Sequence, residues 1–580
     1  LLRDHRMQFE IILPGLNAAG RSAVNFAIDY WQDFLKNKYG VVEKIPVLTK
    51  PSPDNNVKIF LGSSYFAKLD SKQCTEDLKK LNGTAGCAIR TRGNNVYIYS
   101  GRLNHAGDAR GLVNGLYVLL ENNSDELATR RVINPWDSQA VSVFEFSKDG
   151  NMDLVWGKDY LNIPPLKDWR VFHGYKAEAV TDRNLGAPED WVAGRWEYAG
   201  RRNRATNHWW GFGAYSVKPD GSKDTKTPNG KWGLGYDGKR MVPGCYTGHP
   251  CLLNVLEDAK ADFLSDMFRK HADNPQAPAG KAYGYRLFDV KGLWVEDTLN
   301  ICQCEKCLTP IRLANGLLVT PDNQAFRGVQ FYSNACAMIH AVNVHAKRNM
   351  KVESIGYFWM SSIPPFELSR NYVIRFCPYI RKNYAVPIYA PCNDLFWRDF
   401  YRWSQLDVEL GLYEYFLFVG IRPWTDTYKY DLQAEAELGL VFATPECDRS
   451  ALAATEAFAL SRIFWTPDVD VEELRKFYLQ RIFREAASAM EKFYTAVHRH
   501  FYRNIAENIS MEFDEGEIGA LAWIFPSDNG KGCVADELNG YLEEAKKAVR
   551  HPASKLLLED FCKEWDKYIG EGRKNAETLR

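Results

Sequence analysis

The spacing of apolar and polar positions changes twice along the chain and divides it into three parts. In the first, "SAVNFAIDYWQDFLKNKYG" repeats apolar residues at helical spacing and stops at Gly40. "NNVKIFLGSS" is a compact apolar run ending in a glycine turn, which predicts a buried strand. "GCAIRTRGNNVYIYSGR" predicts a β-hairpin turning at Gly93-Asn94-Asn95, and "DARGLVNGLYVLLEN" a closing helix. The polar, Pro- and Gly-broken "INPWDSQAVSVFEFSKDGNMDL" then marks a boundary. Residues 1–150 are therefore expected to form a small α/β accessory domain.

From residue 165 the pattern becomes strand, loop, helix, repeated. "WRVFHGY", "ATNHWWGFG", "YRLFDVKGLWVED", "KVESIGYFW", "YVIRFCPYI", "LGLYEYFLF" and "LVFATPE" predict strands. Helical periodicity falls between them, as in "NQAFRGVQFYSNACAMIHAVNVHAKRN" and "DLFWRDFYRWSQL". This alternation over residues 165–468 predicts an α/β fold, a (β/α)8 TIM barrel. A doubly wound open sheet is the alternative, but no G-x-G-x-x-G or P-loop supports a nucleotide-binding form of it. Residues 469–580 read as helices only, including "VEELRKFYLQRIFREAASAMEKFYTAV", and predict a helical C-terminal region packed on the barrel.

Composition narrows the function. Lys plus Arg and Asp plus Glu both number 73, so nothing points to nucleic acid or an anionic membrane surface. No apolar run reaches the roughly 20 residues of a membrane span. Aromatic residues make up 13% of the chain, with 17 Trp and 30 Tyr; beyond core packing, this suits the stacking of sugar C–H faces. The chain begins at Leu1 rather than Met, which fits processing or trimming and the removal of a signal peptide.

Chemistry in a barrel sits at the carboxyl ends of the strands. Glu296 and Asp297 end "GLWVED", Glu414 lies in "GLYEYFLF", and Glu446 ends "LVFATPE". An acid among apolar or aromatic neighbours holds its proton more tightly, which suits a general acid, and a second carboxylate across the pocket can be base or nucleophile. Each acid alone fits a helix cap or an Arg pair equally well. Arg170, His173, Asn207, His208 and Trp209, in the first two predicted strands, suit holding a sugar, and Tyr413 and Tyr415 flank Glu414 on the opposite side of its strand. Cys302, Cys304 and Cys307 follow in a C-x-C-x2-C spacing. Disulfides, free thiols, or structural zinc with Cys245, His249 or Cys251 as fourth ligand all fit that spacing. No cofactor and no catalytic metal are expected.

"VEDTLNICQCEKC" resembles the "PNDG-x-G-x-C-x-C-x-x-C" stretch of a bacterial domain-of-unknown-function family grouped with α-glucuronidases and β-hexosaminidases. "CLLNVLEDAKADFL", "VIRFCPYIRKN", "LYEYF", "EAELGLVFATPE" and "IFWTPDVD" resemble further parts of that family in the same order. The N-terminal "IILPGLNAAGRSAVNFAIDYWQDFL" resembles the α-glucuronidase-type accessory domain. The resemblance implies an exported or periplasmic carbohydrate-active protein that degrades an acidic or decorated plant or algal glycan, with a non-catalytic carbohydrate-binding protein as the alternative. It implies an acid at Glu296 or Asp297, with Asp297 matching the Asp of "PND", and further acids at Glu414 and Glu446. "PNDG" has become "VEDT" here, so the choice between Glu296 and Asp297 stays open.

Overall fold

The computed structural model describes residues 1–16, 18–54, 56–84, 86–101, 110–123, 130–134, 139–142, 148–154, 156, 159–166, 234–239, 241, 251, 253–254, 256–257, 260, 290–292, 300–346, 351–378, 385–416, 421–443, 446–447, 451–507 and 534–578. The N-terminal part is built on a six-stranded mixed sheet. In chain order its elements are β1 (Phe9–Ile12), α1 (Ala18–Tyr39), β2 (Val47–Leu48), β3 (Val57–Leu61), α2 (Ser63–Leu69), α3 (Ser71–Leu81), β4 (Cys87–Arg92), β5 (Asn95–Ser100), α4 (Arg110–Asn123) and β6 (Tyr160–Asn162). The sheet order is β6-β4-β5-β3-β1-β2, and β4 alone runs against the other five strands. The hairpin turns where the glycine predicts it: Arg92 pairs with Asn95, and Gly93 takes φ 59°. α3 starts because the Asp70 carboxylate accepts the Gln73 N–H at 3.0 Å.

The central part carries a second sheet. Its strands are β7 (Val290–Gly292), β8 (Lys351–Gly356), β9 (Tyr372–Phe376), β10 (Glu409–Leu412) and, after the short β11 (Tyr415–Phe416), β12 (Phe442–Ala443). They lie in chain order β7-β8-β9-β10-β12, and every neighbour is parallel. β13 (Glu446–Cys447) pairs in parallel with β11. Among the described residues, long helices lie in the connections: α5 (Phe326–Ala346) between β7 and β8, α6 (Asp394–Ser404) between β9 and β10, and α7 (Thr425–Glu437) between β11 and β12. Parallel neighbours need such crossovers, so the strand–helix alternation read from the sequence has its physical counterpart here. The described strands form an open run of five, not a closed barrel. The predicted strands "WRVFHGY" and "ATNHWWGFG" fall outside the described residues.

Helices finish the chain: α8 (Ala454–Ile463), α9 (Val471–Phe483), α10 (Ala487–Glu507), α11 (Val534–Ala548) and α12 (Pro552–Thr578). The sequence predicts one helix through residues 471–497, but the chain breaks at Arg484, which takes φ 46°. The break lets Ile482 and Phe483 on one side and Met490 and Phe493 on the other enter a single apolar cluster with Trp565. Among the described residues no helix is long and apolar enough to cross a membrane.

Candidate functional site at the carboxyl edge of the parallel sheet

Strand pairing sorts the side chains of the central sheet onto two faces, because pairing residues in a ladder share a face and successive residues alternate. One face carries Ser354, Tyr372, Ile374, Phe376, Leu410 and Leu412. Helices pack on it: Tyr332 of α5 meets Tyr372 edge-on at 5.6 Å, and Phe400 of α6 meets Phe376 at 5.7 Å. The hydroxyls of Ser354 and Tyr372 bond at 2.7 Å, which satisfies two polar groups inside this apolar layer.

The opposite face is ion-paired. Lys351 Nζ lies 2.6 Å from a Glu409 carboxylate oxygen, and Arg375 lies 2.7 Å from Glu353. The Arg375 guanidinium also sits over the Phe442 ring, 5.3 Å from its centre. Phe442 pairs with Gly411, whose missing side chain leaves the ring its place. Glu353 and Arg375 escaped the sequence reading, although a lone charge at an alternate position of an apolar strand, as in "VESIG" and "YVIRF", is the available signal.

The two faces extend past the strand ends. The Cys377 N–H donates to the Gly356 carbonyl at 3.2 Å and the Tyr413 N–H to the Phe376 carbonyl at 2.7 Å, so the ladder continues to Tyr413. Gly411 pairs with Phe442 and Tyr415 with Glu446, so one register runs through the gap between β10–β12 and β11–β13. Alternation then assigns position Tyr413 to the ion-paired face at its carboxyl edge. Position Glu414 falls with Leu410 and Leu412 on the helix-packed face, and Glu414 is fully buried. Tyr413 is buried within the main apolar cluster. Tyr357, just beyond β8, continues the row of Lys351, Glu353 and Ile355; it is a further aromatic position at this edge that the sequence reading did not single out.

The structure thus places Tyr413 and Glu414 on successive positions of one strand end and pairs position Tyr415 with position Glu446 just beyond them. Glu296, Asp297, Arg170, His173, Asn207, His208 and Trp209 lie outside the described residues. An open cleft of about 960 Å³ lies elsewhere, beside α5, lined in part by Ile311, Leu313, Gln330, Asn334 and Phe366. None of the candidate acids lines it.

The cysteine run lies on the segment after β7. Cys302 and Cys307 are buried, and Cys251 joins them from the segment before. All are unbridged: Cys251 Sγ is 3.8 Å from Cys304 Sγ and 3.6 Å from Cys307 Sγ, whereas a disulfide brings two sulfurs to about 2.05 Å. Of the three fourth partners considered from sequence, Cys251 is the one found beside the run; Cys245 and His249 lie outside the described residues.

Residues 287–495 match a family model described as "Domain of unknown function (DUF4838)", a span from just before β7 into α10. No curated protein matches the chain. Among solved structures, the Flavobacterium johnsoniae chitobiase FjGH20 is 10% identical, covering 100% of this chain and 87% of its own at a TM-score of 0.39. CpGH84B is 11% identical, covering 100% and 92%, also at 0.39. CpGH84D is 8% identical, covering 98% and 89%, at 0.35.

Proposed function

We propose that this chain is a glycoside hydrolase whose working carboxylates are Glu446 and one of Glu296 and Asp297. The observation that carries the reading is the Tyr415–Glu446 pair, an aromatic and an acid joined in one ladder at the carboxyl edge of a parallel sheet. That edge is where parallel α/β folds gather their reacting groups. The match to residues 287–495 supports the sequence resemblance over the same strands.

In this reading Glu296 or Asp297 protonates the leaving oxygen, and Glu446 acts as base or nucleophile on the opposite side of the sugar. Glu414, buried on the helix-packed face, supports the strand and takes no part in the reaction. Tyr415 and Trp209 offer flat faces for the sugar, and Arg170, His173, Asn207 and His208 hold its hydroxyl and carboxylate groups. The substrate is an acidic or decorated plant or algal glycan, cleaved in the manner of an α-glucuronidase, and the protein acts outside the cytoplasm. A carboxyl separation of about 5–5.5 Å predicts retention of configuration, and about 6.5–9.5 Å predicts inversion.

The test is a screen of the full chain against uronic-acid-bearing oligosaccharides, with released sugar detected by mass spectrometry. The reading predicts release from at least one acidic glycan. Glycan binding without release would make this a carbohydrate-binding protein on the same scaffold, and the hydrolase reading would be wrong.

A further inference from the structure

We propose that Cys251, Cys302, Cys304 and Cys307 bind one zinc ion, which pins the segment following β7 to the body of the protein. All four sulfurs lie within 4.8 Å of one another. A tetrahedral zinc with Zn–S bonds of about 2.3 Å separates its sulfurs by about 3.8 Å. The measured 3.8 Å and 3.6 Å from Cys251 to Cys304 and Cys307 match that edge. They are nearly twice a disulfide bond length.

Backbone N–H groups point at three of the sulfurs: that of Asn254 at Cys251, that of Leu253 at Cys307, and those of Leu234 and Cys304 at Cys302. Such donors spread the negative charge that four thiolates leave on a divalent ion. Lys306, within electrostatic reach of Cys251 and Cys307, adds a positive charge and is itself anchored by Glu257 at 2.7 Å. Four protein ligands leave no open coordination position, so the ion is structural and does not take part in a reaction.

Hydrogen bonds carry this knot into the fold. The Cys307 carbonyl accepts from Arg327 at 2.6 Å and from Gln330 at 3.1 Å, both on α5. The Gln303 N–H donates to the Leu234 carbonyl at 2.7 Å, and the Gln303 side-chain oxygen accepts from Arg327 at 3.3 Å. A single ion thereby ties the turn at 234–239, the segment at 251–257 and α5 to residues 300–308.

The experiment is metal analysis of the full-length protein, purified without chelators or a polyhistidine tag. About one zinc per chain is expected. Cys251→Ser and Cys307→Ser should each lose it and melt at lower temperature, while Cys392→Ser, which changes an exposed cysteine, keeps it. Should the serine variants fail to fold, cobalt exchanged into the unaltered protein provides a second readout. It should give the thiolate-to-metal charge-transfer bands and intense d–d absorption of a tetrahedral four-sulfur site. Metal-free protein overturns the proposal, as does a disulfide among these four cysteines in peptide mapping. Iron in place of zinc overturns the choice of ion.

Discussion

Gly411 shows how narrowly the ion-paired face is specified. A side chain there would begin 2.0–2.5 Å from three atoms of the Phe442 ring, the ring on which Arg375 rests. Gly411→Ala therefore pushes Phe442 aside and disturbs the Arg375–Glu353 pair. The expected cost is about 1–3 kcal/mol in urea unfolding, largely recovered by adding Phe442→Leu. The same scale explains what could be read of the candidate acids. Glu414 and Glu446 are legible as acids because each sits in or at the end of an apolar run. Their faces are not legible, because a face depends on which residue stands opposite, and pairing partners are far apart in sequence. Which side met the helices became clear only from Tyr332 and Phe400, which no strand motif names.

At the level of elements, α7, α8, α9 and α10 meet around one buried cation. Arg475, on α9, is almost wholly enclosed and bonds Glu456 through both Nε and Nη2, at 2.7 and 3.0 Å. It also reaches Asp426 at 2.6 Å and Glu472 at 2.7 Å. Removing one member strands its partner, so Glu456→Leu is expected to cost about 3–5 kcal/mol by denaturant unfolding. Replacing Glu456 and Arg475 together by apolar residues should cost much less. A pH effect follows from the same cluster. The hydrogen bond from His498 and the charge of Arg475 outweigh burial and hold Glu472 at about 2, against its ordinary 4.5. The folded value is the lower one, so this contribution is complete above pH 4.5 and disappears as pH falls toward 2. Glu472→Gln should therefore flatten the loss of stability across that acid window in a pH series of melting temperatures. The start of α9 was legible, since Asp470 accepts the Glu473 N–H at 3.2 Å as a helix cap. Its end was not, since residues on both sides of Arg484 keep helical periodicity and only the shared core with Trp565 forces the turn.

Across the whole molecule, the larger apolar clusters lie two on the N-terminal sheet, one against the central sheet and one among the last helices. Period reports burial on one face, which is why element type came through so directly. Closure of the central sheet is a long-range property, and the described strands leave it open. Contacts between parts were equally invisible in sequence. Asn162, at the edge of the N-terminal sheet, donates to the Trp465 carbonyl at 3.0 Å and to the Thr466 hydroxyl at 2.7 Å, just beyond α8. Asn162→Ala is expected to lose about 1–3 kcal/mol and to separate the thermal transitions of the two parts in calorimetry. The proposed hydrolysis through Glu446 is tested by the kcat of Glu446→Gln on a glycan that the unaltered protein cleaves. A loss of about 10²–10⁴-fold is expected, with the melting temperature preserved. Full activity in Glu446→Gln would contradict it.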